Sequence, residues 1–243
     1  MRQTIQVRVG CAGWAIPGSS KERFPPEGTH LQRYAARLPA VEINSSFYRR
    51  HRPGTYARWA ASVPGSFRFA VKVPRTITHE ARLSDPSQLD GFLPGVQRLG
   101  ARLGPLLVQL PPSLAYDPPL VSSFFEALRR RFDGSVVCEP RHPSWFTAVV
   151  EDLLENYHVA RVAADPPPVP QGANPGGWSG LVYYRLHGSP RKYYSAYSGA
   201  FLGDLGQILS EASQSAPTWC IFDNTARGAA TENALTLWQQ LRP

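Results

Sequence analysis

The stretch Ser135-Val136-Val137-Cys138-Glu139-Pro140-Arg141-His142, with Trp145 just beyond it, decides how the rest of the chain is read. Val136 to Cys138 is a short apolar run of the kind that forms a buried strand, yet a carboxylate, a guanidinium and an imidazole follow at once. Burying such groups without partners costs several kcal/mol, so a strand that ends this way is expected to open into a polar site.

Working outward, the same signature recurs. Apolar or alternating segments at 5–11, 41–48, 67–73, 105–111, 159–164, 181–186 and 218–222 read as seven further strands. Segments at 30–38, 53–63, 86–102, 118–132, 145–157, 205–212 and 228–241 read as helices between or after them. Thr29 and Ser144 suit caps, and Pro53 and Pro118 suit first helical positions. The connection at 166–180 differs, because its Pro166-Pro167-Pro168 run and the Gly176-Gly177 pair cannot make a normal helix. Eight strands alternating with helix-length connections, in a length close to the ~250 residues typical of such folds, predict an α/β protein. The fold expected is a single (β/α)8 TIM-type barrel over residues 1–243, with an atypical Pro/Gly-rich connection between strands 6 and 7. An open doubly wound sheet is the competitor, but no Gly-x-Gly-x-x-Gly follows the first strand.

Composition narrows the function classes. Hydrophobic residues at 42% and charged residues at 18% exclude a disordered or fibrous chain. The net charge of +8 rests on 23 arginines against three lysines, Lys21, Lys72 and Lys192. It mildly favours an anionic partner, but no basic run exceeds Arg129-Arg130-Arg131, so nucleic acid is not the favoured one. Cys11, Cys138 and Cys220 are odd in number, widely spaced and set in apolar segments, which reads as core rather than disulfide or zinc. No charged-then-apolar leader is seen and no apolar run approaches the ~18 residues of a membrane span, so a cytoplasmic location is expected.

In a barrel of this type the C-terminal strand ends carry the site. Reading them gives Glu42 and Asn44, Lys72, Gln109, Glu139 with Arg141 and His142, Asp165, Arg185 and His187, then Asp223 and Asn224, with His79 in a following loop. Glu139 and Arg141 also fit an interior salt-bridge network with Arg185 or Glu42, and Asn224 also fits a helix cap. The leading expectation is an enzyme acting on a small anion, phosphorylated or carboxylated and sugar-like. Lys72, Arg141 and Arg185 hold the anion, Glu139 or Glu42 serves as general base, His187 as general acid, and Asn44 and Gln109 orient hydroxyls. On this reading Arg185→Ala abolishes binding and leaves the fold intact. Two rivals stay open: a metal-dependent phosphodiesterase or endonuclease built from these His, Glu and Asp residues, and a non-catalytic nucleic-acid or metabolite sensor. No cofactor is expected; a divalent metal stays open, against which stand the cations converging on one mouth.

These residues also carry a family likeness. Gly10-Cys-Ala-Gly-Trp14, Val41-Glu-Ile-Asn-Ser-Ser-Phe-Tyr48, Phe69-Ala-Val-Lys-Val-Pro74, Thr78-His79, Gln109-Leu-Pro-Pro112, Glu139 to Trp145, Tyr184-Arg-Leu-His-Gly188 and Phe222-Asp-Asn-Thr225 occur in one order along nearly the whole chain. In this the chain resembles the YecE-like proteins, a bacterial and archaeal family described as a domain of unknown function. The resemblance implies a TIM-type barrel and supplies no activity. Ala12 stands where that family usually has Ser, and Asp223 where it usually has Asn.

Overall fold

The computed structural model describes residues 7–242; Ile5 and Gln6, expected to open the first strand, lie outside them. Parallel ladders arise here because helix-length crossovers return the chain to start each strand in the same direction, with helices covering one face. One sheet orders β1 (Val7–Cys11), β10 (Thr218–Phe222), β9 (Val182–Leu186) and β7 (Ala163–Asp165), all parallel. The other orders β2 (Ala40–Ile43), β3 (Arg68–Lys72), β4 (Leu103–Gln109), β5 (Val136–Glu139) and β6 (Val159–Arg161) in parallel, with the short β8 (Gly176–Gly177) antiparallel at its edge.

The result is a mixed α/β fold with two parallel-stranded sheets rather than one continuous hydrogen-bonded cylinder. Both interruptions have local causes. The expected strand 159–164 changes partners midway: the N–H of Val162 still donates to Cys138 O at 2.9 Å, after which β7 pairs with β9. At the other border only an isolated parallel bridge, Ala12 to Glu42, and a 2.9 Å bond from Gly13 N–H to Glu42 O link β1 to β2.

Two apolar clusters fill the molecule. The larger lies where strand residues such as Val41, Phe69, Val71 and Leu106 meet the helices. The smaller gathers Ala40, Ala70, Leu107, Val137, Tyr183 and Trp219, which come from both sheets. Tyr183 stacks on Trp219 at 6.0 Å between centroids, so β9 and β10 supply the bulk and β2 and β3 the small residues. Two residues farther along β2, β3, β4, β5 and β9, on the same face, stand Glu42, Lys72, Gln109, Glu139 and Arg185, whereas β10 continues with Ile221. The two-residue period therefore stacks an ionisable layer directly on the inner apolar one.

The helices are α1 (His30–Ala35), α2 (Pro53–Ala61), α3 (Leu89–Val96), α4 (Pro118–Arg129), α5 (Ala148–Asn156), α6 (Gly199–Ala212) and α7 (Ala229–Gln240). Thr29 and Gln32 form a capping box on α1, and Asp117 caps α4. The helix expected over 86–102 is broken into 3-10 turns on either side of α3, with Gly100 at φ 53°. Helix α5 starts three residues later than expected, because His142 and Ser144 organise a separate 3-10 turn at Pro143–Trp145. Helix α6 begins at Gly199, earlier than expected. Its glycines weaken the sequence signal, but the Ser198 cap and burial of Leu202, Leu205 and Leu209 hold it. Strand β2 stops at Ile43, since the Ser46 hydroxyl reaches the carbonyls of Ile43 (2.7 Å) and Lys72 (2.6 Å) and turns 44–48 into a 3-10 turn. The Pro/Gly-rich connection holds one 3-10 turn, Pro170–Ala173, and β8.

Close approach of β1 to β2 makes a testable demand. A Cβ on Gly10 would lie 2.2 Å from the carbonyl oxygen of Ala40. Gly10→Ala is expected to cost about 1–3 kcal/mol in urea unfolding; an unchanged midpoint would mean that the two strands are not in contact. No helix among the described residues is long and apolar enough to cross a membrane.

Candidate functional site

Arg185, on β9, is the centre of the ionisable layer and is 1% exposed. Its Nε and Nη2 donate to the two oxygens of Glu42 at 3.1 and 2.8 Å, a bidentate pair. Its Nη1 donates to Glu139 Oε2 at 3.2 Å, and Nη2 lies 3.1 Å from Asp223 Oδ2. Tyr183 donates its hydroxyl proton to Glu42 at 3.1 Å. Burial alone would raise the carboxyl of Glu139, but Arg141, Arg185 and His187 hold it well below the usual carboxylate range. Asp223 is likewise lowered against its burial by Arg185 and His187. Three carboxylates thus face Arg185, Arg141 and Lys72, and the buried layer is close to neutral.

His187 is fully buried between two of these acids. Its Nδ1 lies 3.0 Å from Asp223 Oδ2, and its Nε2 lies 2.8 Å from Glu139 Oε1 and also contacts Arg141 Nη2. An ionised Asp223 only accepts, which assigns a proton to Nδ1. At Nε2 either state has a partner: a proton there is donated to Glu139, and a lone pair accepts from Arg141.

Above this layer opens a cavity of about 610 Å³. Lys72, Arg75, Arg141 and Lys192 line it with His79, Gln109 and the aromatic rings of Phe47, Tyr48 and Tyr193, and no Asp or Glu is among its lining residues. Lys72 is 6% exposed. Its ammonium sits 4.0 Å from the centre of the Phe47 ring and makes no ion pair among the described residues. Burial, helped by the charge of Arg185, pushes the amine down to about 8, although Glu42, Asp223 and Glu139 pull the other way. His79 packs edge-on against Phe47 at 4.9 Å and bonds Thr78 Oγ1 at 2.9 Å from its Nδ1. Burial and the charges of Lys72 and Arg75 lower it. Tyr193, at φ 69°, lies edge-on to His187 at 5.9 Å and forms part of the wall.

The sequence profile described as "Protein of unknown function DUF72" matches residues 8–243. The chain belongs to the DUF72 family. It is similar to the UPF0759 protein YecE of Escherichia coli K12, at 32% identity over 58% of this chain and 54% of that protein. The chain therefore spans about half the length of the Escherichia coli relative it matches. It is similar to the UPF0759 protein YunF of Bacillus subtilis 168 at 22% identity, over 97% of this chain and 94% of that one. A solved DUF72 family protein from Thermotoga maritima MSB8 superposes with a TM-score of 0.80 at 25% identity, covering 98% of this chain and 99% of that one. Another from Enterococcus faecalis V583 gives a TM-score of 0.80 at 24% identity, over 98% and 96%, a likeness of fold. The YecE-like resemblance read from the short motifs is upheld by these relatives.

Within this DUF72 chain the residues singled out in sequence divide into three groups. Glu42, Glu139, Arg141, Arg185 and His187 come together in the buried network, while Lys72, His79, Gln109 and Arg141 line the cavity. Arg185, expected to hold a ligand, instead spends its donors on three carboxylates beneath the cavity. His79 sits in a π-helical turn, Thr76–Glu80, rather than an irregular loop. The third group is not among the residues that line the cavity. His142 caps its own turn by accepting from Ser144 N–H at 3.2 Å. Asn224 does not cap α7 with its side chain; it donates to Ser195 O (2.8 Å) and Asn233 Oδ1 (3.0 Å), tying down the loop after β9. Asp165 accepts from Tyr197 in the same loop at 2.9 Å. Asn44 heads the turn after β2, its Oδ1 buried without a partner.

Sequence reasoning missed Tyr183, Phe47, Arg75 and Lys192, and left Asp223 without a role. Tyr183 was within reach, being two residues before Arg185 on the same strand face. No group of three or more His, Cys, Asp or Glu is arranged to hold a metal ion among the described residues. Glu139, His187 and Asp223 do converge, but Arg185 and Arg141 are interleaved with them. That donor set is occupied by guanidinium groups and suits no divalent cation.

Proposed function

We propose that this protein is an enzyme that binds a small polar anion, phosphorylated or carboxylated and sugar-like, in the cavity over the ionisable layer. The observation that carries the reading is the cavity wall itself: four cations and no carboxylate. Among the described residues Glu139 compensates Arg141 and Glu80 pairs with Arg75, but Lys72 and Lys192 make no ion pair, and the other buried acid oxygens are engaged by Arg185, His187 and Tyr183. In the same reading the two sheets belong to one (β/α)8 barrel in a single domain, supported by the shared inner cluster and by the links from β1 to β2 and β6 to β7. Three free, buried cysteines accord with a cytoplasmic setting.

The proton-transfer roles shift from the sequence reading. Glu139 is held ionised, and both oxygens of Glu42 are occupied by donors, so neither is a ready base. Burial lowers both cavity lysines, Lys72 to about 8 and Lys192 in the same direction beside Arg141. Lys72 is the more deeply buried proton donor, with His79 against the same Phe47 ring as an acceptor. Arg141 both faces the ligand and closes off His187.

Calorimetry with orthophosphate tests the reading. The native chain is expected to bind it, Arg141→Ala to weaken binding about 10- to 100-fold, as loss of a charged hydrogen bond does, and Arg75→Ala to weaken it less. Arg75 is exposed and, among the described residues, forms its ion pair with the likewise exposed Glu80, so its variant reports on binding without endangering the fold. Absence of binding by orthophosphate and by simple carboxylates alike would overturn the proposal.

A further inference from the structure

Two of the chain's three lysines line this one cavity, although arginine supplies 23 of its 26 basic side chains. Arginine would serve as well, or better, for holding an anion, since its fork of donors matches carboxylate and phosphate. What arginine cannot do is lose a proton and become a nucleophile. The placement of Lys72 fits that use. It projects from the end of β3 into a cavity that Arg75, Arg141 and Lys192 also line, Lys192 like Lys72 without an ion pair among the described residues. Its own nitrogen rests on the face of Phe47 instead of on a carboxylate.

We infer that Lys72 forms a covalent imine with the carbonyl carbon of an anionic aldehyde or ketone, such as a 2-oxo acid or a phosphorylated sugar in its open form. This rests on the anion reading above and names its substrate class. The free amine adds to the carbonyl carbon, making a C–N bond while the π electrons move onto oxygen, which takes up a proton. The carbinolamine then loses that oxygen as water together with the amine proton, so amine and carbonyl give imine and water with no oxidant or reductant. The imine nitrogen, once protonated, accepts electrons from a neighbouring C–H or C–C bond, which is the chemistry of a lyase or an isomerase. Burial that lowers the amine to about 8 supplies free amine at neutral pH. His79, lowered by burial and by the charges of Lys72 and Arg75, packs against the same Phe47 ring and lines the same cavity, which offers it as a relay for the protons to and from the carbinolamine oxygen.

Reductive trapping tests this directly. The native chain is incubated with pyruvate, and separately with glyceraldehyde 3-phosphate, at pH 7.5; sodium borohydride is added and the peptides carrying Lys21, Lys72 and Lys192 are weighed. The expected result is a stable adduct on Lys72 alone, absent from Lys72→Arg, retained in Lys192→Arg, and suppressed by excess orthophosphate. An adduct on Lys192, or one spread evenly over all three lysines, overturns the proposal. So does no adduct in a chain that binds orthophosphate in calorimetry, in which case the anion site stands and the imine falls. An adduct on Lys72 that orthophosphate neither displaces nor slows would overturn the anion reading, and with it the anionic substrate class. Failure of both trapping and orthophosphate binding removes both.

Discussion

Arg185→Ala is expected to lower folding stability by about 3–5 kcal/mol at neutral pH, the loss typical when one member of a buried ion-pair network is removed. The substitution leaves Glu42, Glu139 and Asp223 buried with Arg141 and Lys72 as their remaining cationic company and His187 as a hydrogen-bond partner. This replaces the simpler expectation from sequence, in which Arg185 is a ligand contact that can be removed without harm to the fold. The pH dependence gives a second handle. In the native chain Glu139 and Asp223 have depressed folded-state pKa values, so their contribution is fully present above the unfolded values of 4.5 and 3.8 and is lost as pH falls through the folded ones. Without Arg185 burial is less opposed and the folded-state values rise. The penalty of the variant should therefore be largest above pH 5 and shrink toward pH 4. Urea unfolding at pH 7 and pH 4.5 measures this, and adding Glu42→Gln should recover part of the loss at pH 7. Equal penalties at both pH values would mean that packing, not charge, was removed.

Lys72→Met should do the opposite, stabilising the fold while removing the group that faces the ligand. Burial takes the amine from 10.5 to about 8. A protonated Lys72 at pH 7 therefore costs the folded state about 3 kcal/mol relative to the unfolded chain. Since the folded value is the lower one, that cost is fully present below pH 8 and is relieved as pH rises from 8 toward 10.5. Methionine carries no charge and fills a similar volume, so the variant is expected to be the more stable by about 3 kcal/mol at pH 7. The gap should then close by about pH 10.5. Cys11, Cys138 and Cys220 are held protonated by burial and pull stability down above their unfolded value of 9.0 in both proteins. The difference between the two unfolding profiles, rather than either alone, is the readout. Loss of stability on substitution at pH 7 would show that Lys72 is compensated in the fold.

These two variants separate the roles that the strand ends share. Arg185 and Lys72 both lie on inward faces and both are cationic, yet one is surrounded by three carboxylates and the other by an aromatic ring and open cavity. Asp223 adds to that contrast. As a carboxylate, where the family resemblance leads one to expect Asn, it contacts both Arg185 and His187 and deepens the electrostatic trap around them.

Much of the frame was legible beforehand. Each of the eight expected strands has a counterpart among the described residues, because apolar runs bounded by proline, glycine and charge leave few other readings. The strand at 159–164 gave no sign that it would divide between two sheets, since its alternation continues smoothly through Val162. The helix over 86–102 looked continuous, although Pro94 and Gly100 both weaken such a pattern. At 44–48 continued alternation, with Asn44 on the face of Glu42, reads as more strand. The tertiary bond from Ser46 to Lys72 O turns it instead and sets Phe47 under the lysine.

From sequence alone followed the α/β plan, the core reading of the cysteines and the gathering of polar and ionisable groups at the C-terminal strand ends, all consequences of local pattern. Only the tertiary structure decided which cations are neutralised and which face the cavity, and it brought in Lys192, Arg75 and Tyr183. The reason is that charge compensation depends on distance and burial in three dimensions. Residues as far apart in the chain as Glu42 and Arg185 meet at hydrogen-bonding distance, and nothing in the spacing between them records it.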